Sequence, residues 1–319
     1  MALNSTLVLD LGKEIGIIYL GILIGYFLGK SRYYSVNLSR NLSRFAIYVV
    51  FPIVIITNTV NIGTGLVSEL LIVLIISVGL HLFLLGISVL FLKANTPLEK
   101  GSSVLTASIP NAIGFSFPII AALQGLTGWV PATIFALGTR LTISTAGGAV
   151  ALNYSKTTGH KLSLTNHIMR LLKFPLFIAM FIGLFIRGTV GYIETTQSLL
   201  VIFWSYVGIS IGLLLIGLDC RTLTKSIILK SGLNRSILVR FVASPVITIS
   251  LCIVFQLPRL IAVPMIVQSW APPAIMTILY SEFFGLDTKI TSRNVTLLTF
   301  VALLLLPFEI FVILWLYPM

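Results

Sequence analysis

Charge is what this sequence most lacks: Asp, Glu, Lys and Arg make up 9% of 319 residues, against 57% hydrophobic residues and a mean hydropathy of +1.07. No soluble domain has that balance, so the chain reads as a polytopic α-helical membrane protein. Its apolar runs are long and do not alternate, which excludes a β-barrel. Two cysteines, Cys220 and Cys252, are too few for a disulfide framework. Histidine is confined to His81, His160 and His167, and there is no His-Glu-x-x-His, no Gly-x-Ser-x-Gly and no phosphate-binding glycine loop. No enzyme is therefore expected, and no cofactor or metal. Low-complexity stretches and domain linkers are absent too. Met1 to Lys13 has neither a basic leader nor a small-residue cleavage site, so no removable signal peptide is expected.

What is present is apolar sequence in ten segments of membrane-spanning character, roughly Glu14–Gly29, Phe45–Val60, Leu66–Leu92, Gly101–Leu123, Trp129–Ala151, Phe174–Thr189, Leu199–Leu218, Ile237–Leu257, Leu260–Tyr280 and Val295–Leu316. The first and sixth are short for a spanning helix. The formal net charge of +12 could suggest nucleic acid, but the placement of the charges points to topology. Lys30, Arg32, Arg40 and Arg44 follow span one. Lys156, Lys161, Arg170 and Lys173 follow span five, and Arg221, Lys225, Lys230, Arg235 and Arg240 follow span seven. By the positive-inside rule those connections are cytoplasmic, which puts both termini outside a multi-pass cell-membrane protein. The excess charge otherwise attracts anionic lipid headgroups.

The polar connection Tyr154 to Lys173 divides the chain into two halves of five spans, residues 1–157 and 158–319. An odd number of spans per half inserts the second upside down. The fourth span of each half carries proline: Pro110 in Ser108-Ile109-Pro110-Asn111, and Pro272-Pro273 after Gln268-Ser269-Trp270-Ala271. Proline lacks the N–H of its helix bond and clashes with the carbonyl four residues back. Freed backbone groups are tolerated in a membrane where they face protein or a water-filled cavity. Two broken helices at matching places in two inverted halves are the sequence pointer to a transporter's binding site.

A break at Pro110 would expose the N–H groups of Asn111, Ala112 and Ile113 at the positive end of a half-helix, a backbone site suited to a carboxylate. Asn111 adds a side-chain amide. The break at Pro272-Pro273 offers the inverted geometry, flanked by Gln268 and Thr277. Arg140 lies eleven residues into span five, about 16 Å along it at about 1.5 Å per residue. An arginine at that depth faces a cavity or a partner, and no acidic residue lies at matching depth. Two roles are open to it: positive field for an anionic substrate, or capping of carbonyls that the breaks free. His81, in the middle of span three, is a buried satisfied histidine or a proton-coupling group. Gly21, Gly25 and Gly29, and Gly208 and Gly212, form small-residue stripes that let helices approach closely.

At these residues the chain resembles the auxin efflux carrier family. Ile109-Pro110-Asn111 with Pro118 is similar to that family's fourth-span motif. Pro272, Ala274, Thr277, Glu282, Gly285 and Asp287 resemble its ninth-span pattern, Ile266-Val267-Gln268 its lead-in, and Arg44-Phe45 with Pro52 its second span. The resemblance implies ten helices in a fold akin to bile acid–sodium symporters. Spans one, two, six and seven (about 14–60 and 174–218) would form a scaffold, homodimeric through two and seven. Spans three to five and eight to ten (about 66–151 and 237–316) would form a transport domain moving as an elevator. It also implies a secondary transporter, an efflux carrier of organic anions such as auxin-like or other small carboxylic acids, with Asn111, Pro110 and Pro272 at the crossover. Here Met276 stands where the family has asparagine, Pro273 replaces a serine, and Ser116 replaces the glycine of plant members. A site less polar on one half favours an amphipathic or aromatic acid over a small dicarboxylate. The alternatives are a sodium-coupled anion symporter and a non-transporting ligand sensor.

Overall fold

The computed structural model describes residues 5–31, 35–61, 66–155, 175–191, 199–220 and 233–318, and all of its regular structure there is helical. Spans one and three are the single helices α1 (Ser5–Lys30) and α4 (Leu66–Phe91). Span two is α2 (Val36–Phe45) and α3 (Phe51–Val60), joined by a π-helical turn at Ala46–Val50. Span four is two helices, α5 (Pro97–Ser108) and α6 (Ser116–Gln124). Span five runs from α7 (Trp129–Thr142) through a π-turn at Ile143–Gly147 into α8 (Gly148–Tyr154). Then follow α9 (Pro175–Val190), α10 (Leu199–Cys220), and span eight as α11 (Leu233–Leu238), a π-turn at Val239–Ala243 and α12 (Ser244–Val254). Span nine is again two helices, α13 (Arg259–Trp270) and α14 (Met276–Phe283), and span ten is α15 (Thr288–Leu316).

Five stretches among the described residues are long and apolar enough to cross a membrane: Asn41–Val60, Glu69–Phe91, Leu126–Tyr154, Leu233–Val254 and Thr288–Leu316. The chain is thus a largely helical, multi-pass membrane protein. The boundaries correct the hydropathy reading at several ends. The helix of span one begins at Ser5, but its apolar part, Ile15–Lys30, is short as expected. Span eight begins at Leu233 rather than Ile237, which moves Arg235 into helix; Arg240, counted above with the connection although it falls within Ile237–Leu257, is helical too. Span ten begins at Thr288 rather than Val295, with Asp287 as its N-cap accepting from the N–H of Ile290 at 3.0 Å. Arg32, Lys156, Lys161, Arg170, Lys173, Arg221, Lys225, Lys230, His160 and His167 lie outside the described residues.

Helix pairing is reciprocal between the halves. The first helix, α1, packs along α10, and α9 packs along α3. Both pairs close on glycine. A Cβ on Gly25 would sit 2.3 Å from the Leu214 carbonyl oxygen, and one on Gly217 would sit 2.0 Å from that of Ile22. On α9, a Cβ on Gly183 would meet the Thr59 side chain at 2.6 Å. The other stripe on α10 faces elsewhere: at Gly212 a Cβ would lie 2.3 Å from Pro118 of α6, and at Gly208 it would lie 3.0 Å from Trp129 of α7. Phe51 of α3 meets Phe117 and Trp129 there, with ring centroids 5.7 and 5.1 Å apart. Small residues in a membrane let backbones reach contact distances that larger ones forbid.

Gly25→Ala is therefore expected to destabilise the purified protein in detergent by about 1–3 kcal/mol, the usual cost of overpacking. Gly86→Ala, whose Cβ meets nothing within 4 Å, should leave the melting temperature unchanged or slightly raised. Thermal unfolding of the two variants side by side checks this.

Candidate functional site

The two breaks meet and pair with each other. Pro110 and Pro273 form an isolated antiparallel β-bridge. The Asn111 N–H donates to the Pro272 carbonyl at 2.6 Å, and the Ala274 N–H donates to the Ile109 carbonyl at 3.0 Å. Each broken helix thus supplies one donor and one acceptor to the other, so these backbone groups at the breaks are satisfied within the protein.

The carbonyls next outward are held by an arginine, and it is Arg240. Its side chain is fully buried in the π-turn of span eight. Nη1 donates to the Ser108 carbonyl at 3.2 Å, and Nη2 to the Ser269 carbonyl at 2.8 Å and to the Ser244 hydroxyl at 2.5 Å. Ser244 also donates to the Ser269 carbonyl at 2.9 Å. One guanidinium therefore ties the last carbonyls of α5 and α13 together, its planar fork matching two acceptors at once. Sequence reasoning placed Arg240 in a cytoplasmic connection and offered the capping role to Arg140. The missed signal is the spacing of Arg240 and Ser244, one helical turn apart and just before Pro245.

Gln268 acts the same way. It is fully buried, and its amide nitrogen donates to the carbonyls of Ala112 and Ala132 at 2.7 and 2.9 Å. Thr277 is buried as well, its hydroxyl donating to Ala274 within its own chain turn. Neither residue lines the cavity beside the crossover, which corrects their assignment as ligand contacts. His81 is enclosed too. Its Nδ1 lies 2.5 Å from the Ser77 carbonyl and its Nε2 3.4 Å from the Thr139 hydroxyl, with Phe135 edge-on at 5.3 Å. The satisfied-histidine alternative describes it.

The cavity itself has a volume of about 980 Å³ and lies between the crossover, α2–α3 and α10. Pro110, Asn111, Ile113, Arg140, Pro272 and Pro273 all line it, so six of the nine residues singled out in the sequence come together. The half-helix does not start at Asn111. A turn over 112–115 intervenes, and α6 begins at Ser116. The Asn111 Oδ1 accepts from the Gly114 N–H at 3.1 Å and so fixes that turn. On the other half Ile275, Met276 and Leu279 present apolar surface. Two cations that the hydropathy reading left outside span ten, Lys289 and Arg293, also line the cavity, and Lys289 and Ser292 at its rim are exposed. Asp287 as N-cap is the sequence signal that brings them into the helix. No carboxylate lines the cavity among the described residues. At the opposite end the breaks' outer halves are tied shut: Gln124 donates to the Leu260 carbonyl at 3.1 Å, and Arg259 to that of Leu123 at 3.0 Å.

A family model described as membrane transport protein matches residues 13–310. The chain belongs to that family of membrane transport proteins, in line with its resemblance to the auxin efflux carriers, and is a carrier-type protein rather than an enzyme. No curated protein matches it.

The two arginines should separate cleanly by substitution. Arg240→Met would take this donor from the buried Ser108 carbonyl and leave the Ser269 carbonyl to Ser244 alone, with an expected loss of about 1–3 kcal/mol and a marked fall in melting temperature. Arg140→Ala, at the cavity wall, should lower it far less. Thermal unfolding followed by size-exclusion chromatography reads both.

Proposed function

We propose that this member of the membrane transport proteins is a secondary carrier of amphipathic organic anions, which it binds in the cavity beside the crossover. The observation that carries this reading is the charge of the wall: Arg140, Lys289 and Arg293 line the cavity without a carboxylate. In a low-dielectric cleft, cations of one sign raise the local concentration of anions and disfavour cations. The N–H groups of Ala112 and Ile113 make no hydrogen bond to the described protein and lie where a carboxylate would meet the turn before α6. Asn111 orients that turn, and Arg140 supplies charge opposite.

Elsewhere the wall carries hydroxyls, among them Thr139, Ser144, Tyr280 and Thr296, between apolar residues such as Ile109, Ile113, Phe115, Ile143, Ile216 and Leu279. A volume near the upper end of the usual ligand-pocket range and an apolar ninth-span side favour an acid with a hydrocarbon or aromatic body. A small dicarboxylate would leave most of this wall in contact with water. A sodium-coupled mechanism would draw on carboxylate ligands at the crossover, and among the described residues the lining supplies hydroxyls and basic groups but no carboxylate.

Movement follows the same division. Residues 14–60 and 174–218 form the scaffold in this reading, and 66–151 and 237–316 the elevator. Reciprocal pairing of α1 with α10 and of α9 with α3 supports two inverted halves, 1–157 and 158–319. The seam between the bodies is smooth: Gly208 and Gly212 against Trp129 and Pro118, with Phe51 as the aromatic contact. Basic residues near the rim, with Lys30 and Arg44 at the same side of the first two spans, support an open mouth at the cytoplasm and a tied end outside. The exposed aromatics Tyr48 and Tyr206 on spans two and seven mark the face for a second copy in the plasma membrane.

In proteoliposomes, Arg140→Ala should reduce uptake of an amphipathic carboxylate by about tenfold or more, the loss of a charge-assisted hydrogen bond. Lys289→Ala combined with Arg293→Ala should lower the rate at low salt most. Unchanged uptake in all of these variants would remove the anion site from this cavity.

A further inference from the structure

Among the buried ionisable groups outside the cavity, His81 is bonded through its ring and Arg240 through both Nη atoms, though not through Nε, whereas Oε1 of Glu309 has no partner. Glu309 is 2% exposed on α15. Seven residues of helix follow it, about 10 Å at the rise of an α-helix, so it sits within the spanning length. Two residues before it, Pro307 lies inside the helix. A proline leaves the carbonyl four residues back, here Leu303, without its helix donor. The hydroxyl of Tyr19 on α1 donates to that carbonyl. The proline thus opens α15 on the side that meets α1, and Glu309 lies within electrostatic reach of the same Tyr19.

We propose that Glu309 is a proton-binding site set into the seam between α1 and α15, loaded while the seam is closed and discharged when it opens to water. An ionised carboxylate buried without a partner costs far more than the neutral acid, and an ionisable residue inside a span is a functional candidate before it is a packing residue. Among the described side chains none forms an ion pair with it. From α1 comes Tyr19; Asp10, Lys13 and Glu14 lie earlier on that helix, their side chains outside those described. From α13 comes Arg259, whose guanidinium is bonded to the carbonyls of Tyr317 and Leu123. The helices α5 and α14 bring Glu99, Lys100, Tyr280 and Glu282 to the opposite end of α15, where Ser102 bonds the Asp287 carbonyl. From α10 come Tyr206, which is exposed, and Asp219 at its far end. The step is a proton taken up by the carboxylate on one side and released on the other. Its coupling to transport rests on the carrier reading, since α1 belongs to the scaffold and α15 to the moving body; the proton site itself does not.

Infrared difference spectra of the protein in nanodiscs, wild type minus Glu309→Gln at neutral pH, should show the carbonyl band of a protonated carboxylic acid. A carboxylate band in its place, or no difference, overturns the proposal. Glutamine is the neutral isostere of the bound state, so the variant should fold; Glu309→Asp provides the same subtraction with a shifted band if it does not. In proteoliposomes Glu309→Gln should retain anion exchange and lose the response of net flux to a pH gradient. Wild-type flux indifferent to the gradient overturns the coupling and leaves the anion site standing. Failure of every acid to move sinks the carrier reading, while the infrared band still decides whether Glu309 holds a proton.

Discussion

Backbone polar groups cannot be left bare in hydrocarbon, and this molecule meets that constraint by making two defects cancel. The antiparallel bridge at Pro110 and Pro273 gives each broken helix the donor and acceptor that the other lacks. Arg240 then gathers the next pair of carbonyls, from Ser108 and Ser269, and Gln268 ties Ala112 to Ala132 of α7. A buried guanidinium with well-placed acceptors is strongly coupled to its surroundings. The crossover is consequently a rigid block rather than a pair of flexible kinks.

That rigidity decides what is left for chemistry. The amides of Asn111 and Ala274 are consumed in the pairing, so the polar remainder on the cavity side is the turn after Asn111, the cations of α7 and α15, and hydroxyls such as those of Thr139, Ser144 and Tyr280. The two halves of the crossover are unequal for the same reason. The fourth-span side offers a turn built around an asparagine. The ninth-span side offers Ile275, Met276 and Leu279, a surface that can only be wetted or covered by a hydrocarbon body. π-turns recur in the second, fifth and eighth spans, and each brings side chains to the crossover: Ala46 and Ile47, Ile143 and Ser144, and Arg240. Such single-turn bulges re-aim the residues of a helix without ending it.

Much of this was legible in the sequence because proline has an unavoidable local consequence. Pro110 and Pro272 locate both breaks, and Asn111 and Arg140 fall in the cavity where a membrane-depth argument puts them. What failed was the assignment of roles to residues near segment ends. Charged residues lower any hydropathy window, so Lys289 and Arg293 were pushed out of the span that includes them, and Arg240 was counted with a connection although it falls within Ile237–Leu257. A buried arginine that satisfies carbonyls on two other helices depends on contacts 29 and 132 residues away along the chain, which no local pattern encodes. Gln268 was misread for a related reason. An amide next to a helix break is equally suited to a ligand and to a backbone carbonyl, and only the packing of α7 decides between them.

The charge of the cavity is the feature from which the transport reading grows, and it can be tested on the unmodified protein. Solid-supported-membrane currents would be recorded from proteoliposomes exposed to matched series of one hydrocarbon skeleton bearing a carboxylic acid, an amide or an amine. Currents confined to the acids, growing with the apolar body and shrinking with added salt, are the expected result. Equal or larger currents with the amines would contradict an anion carrier.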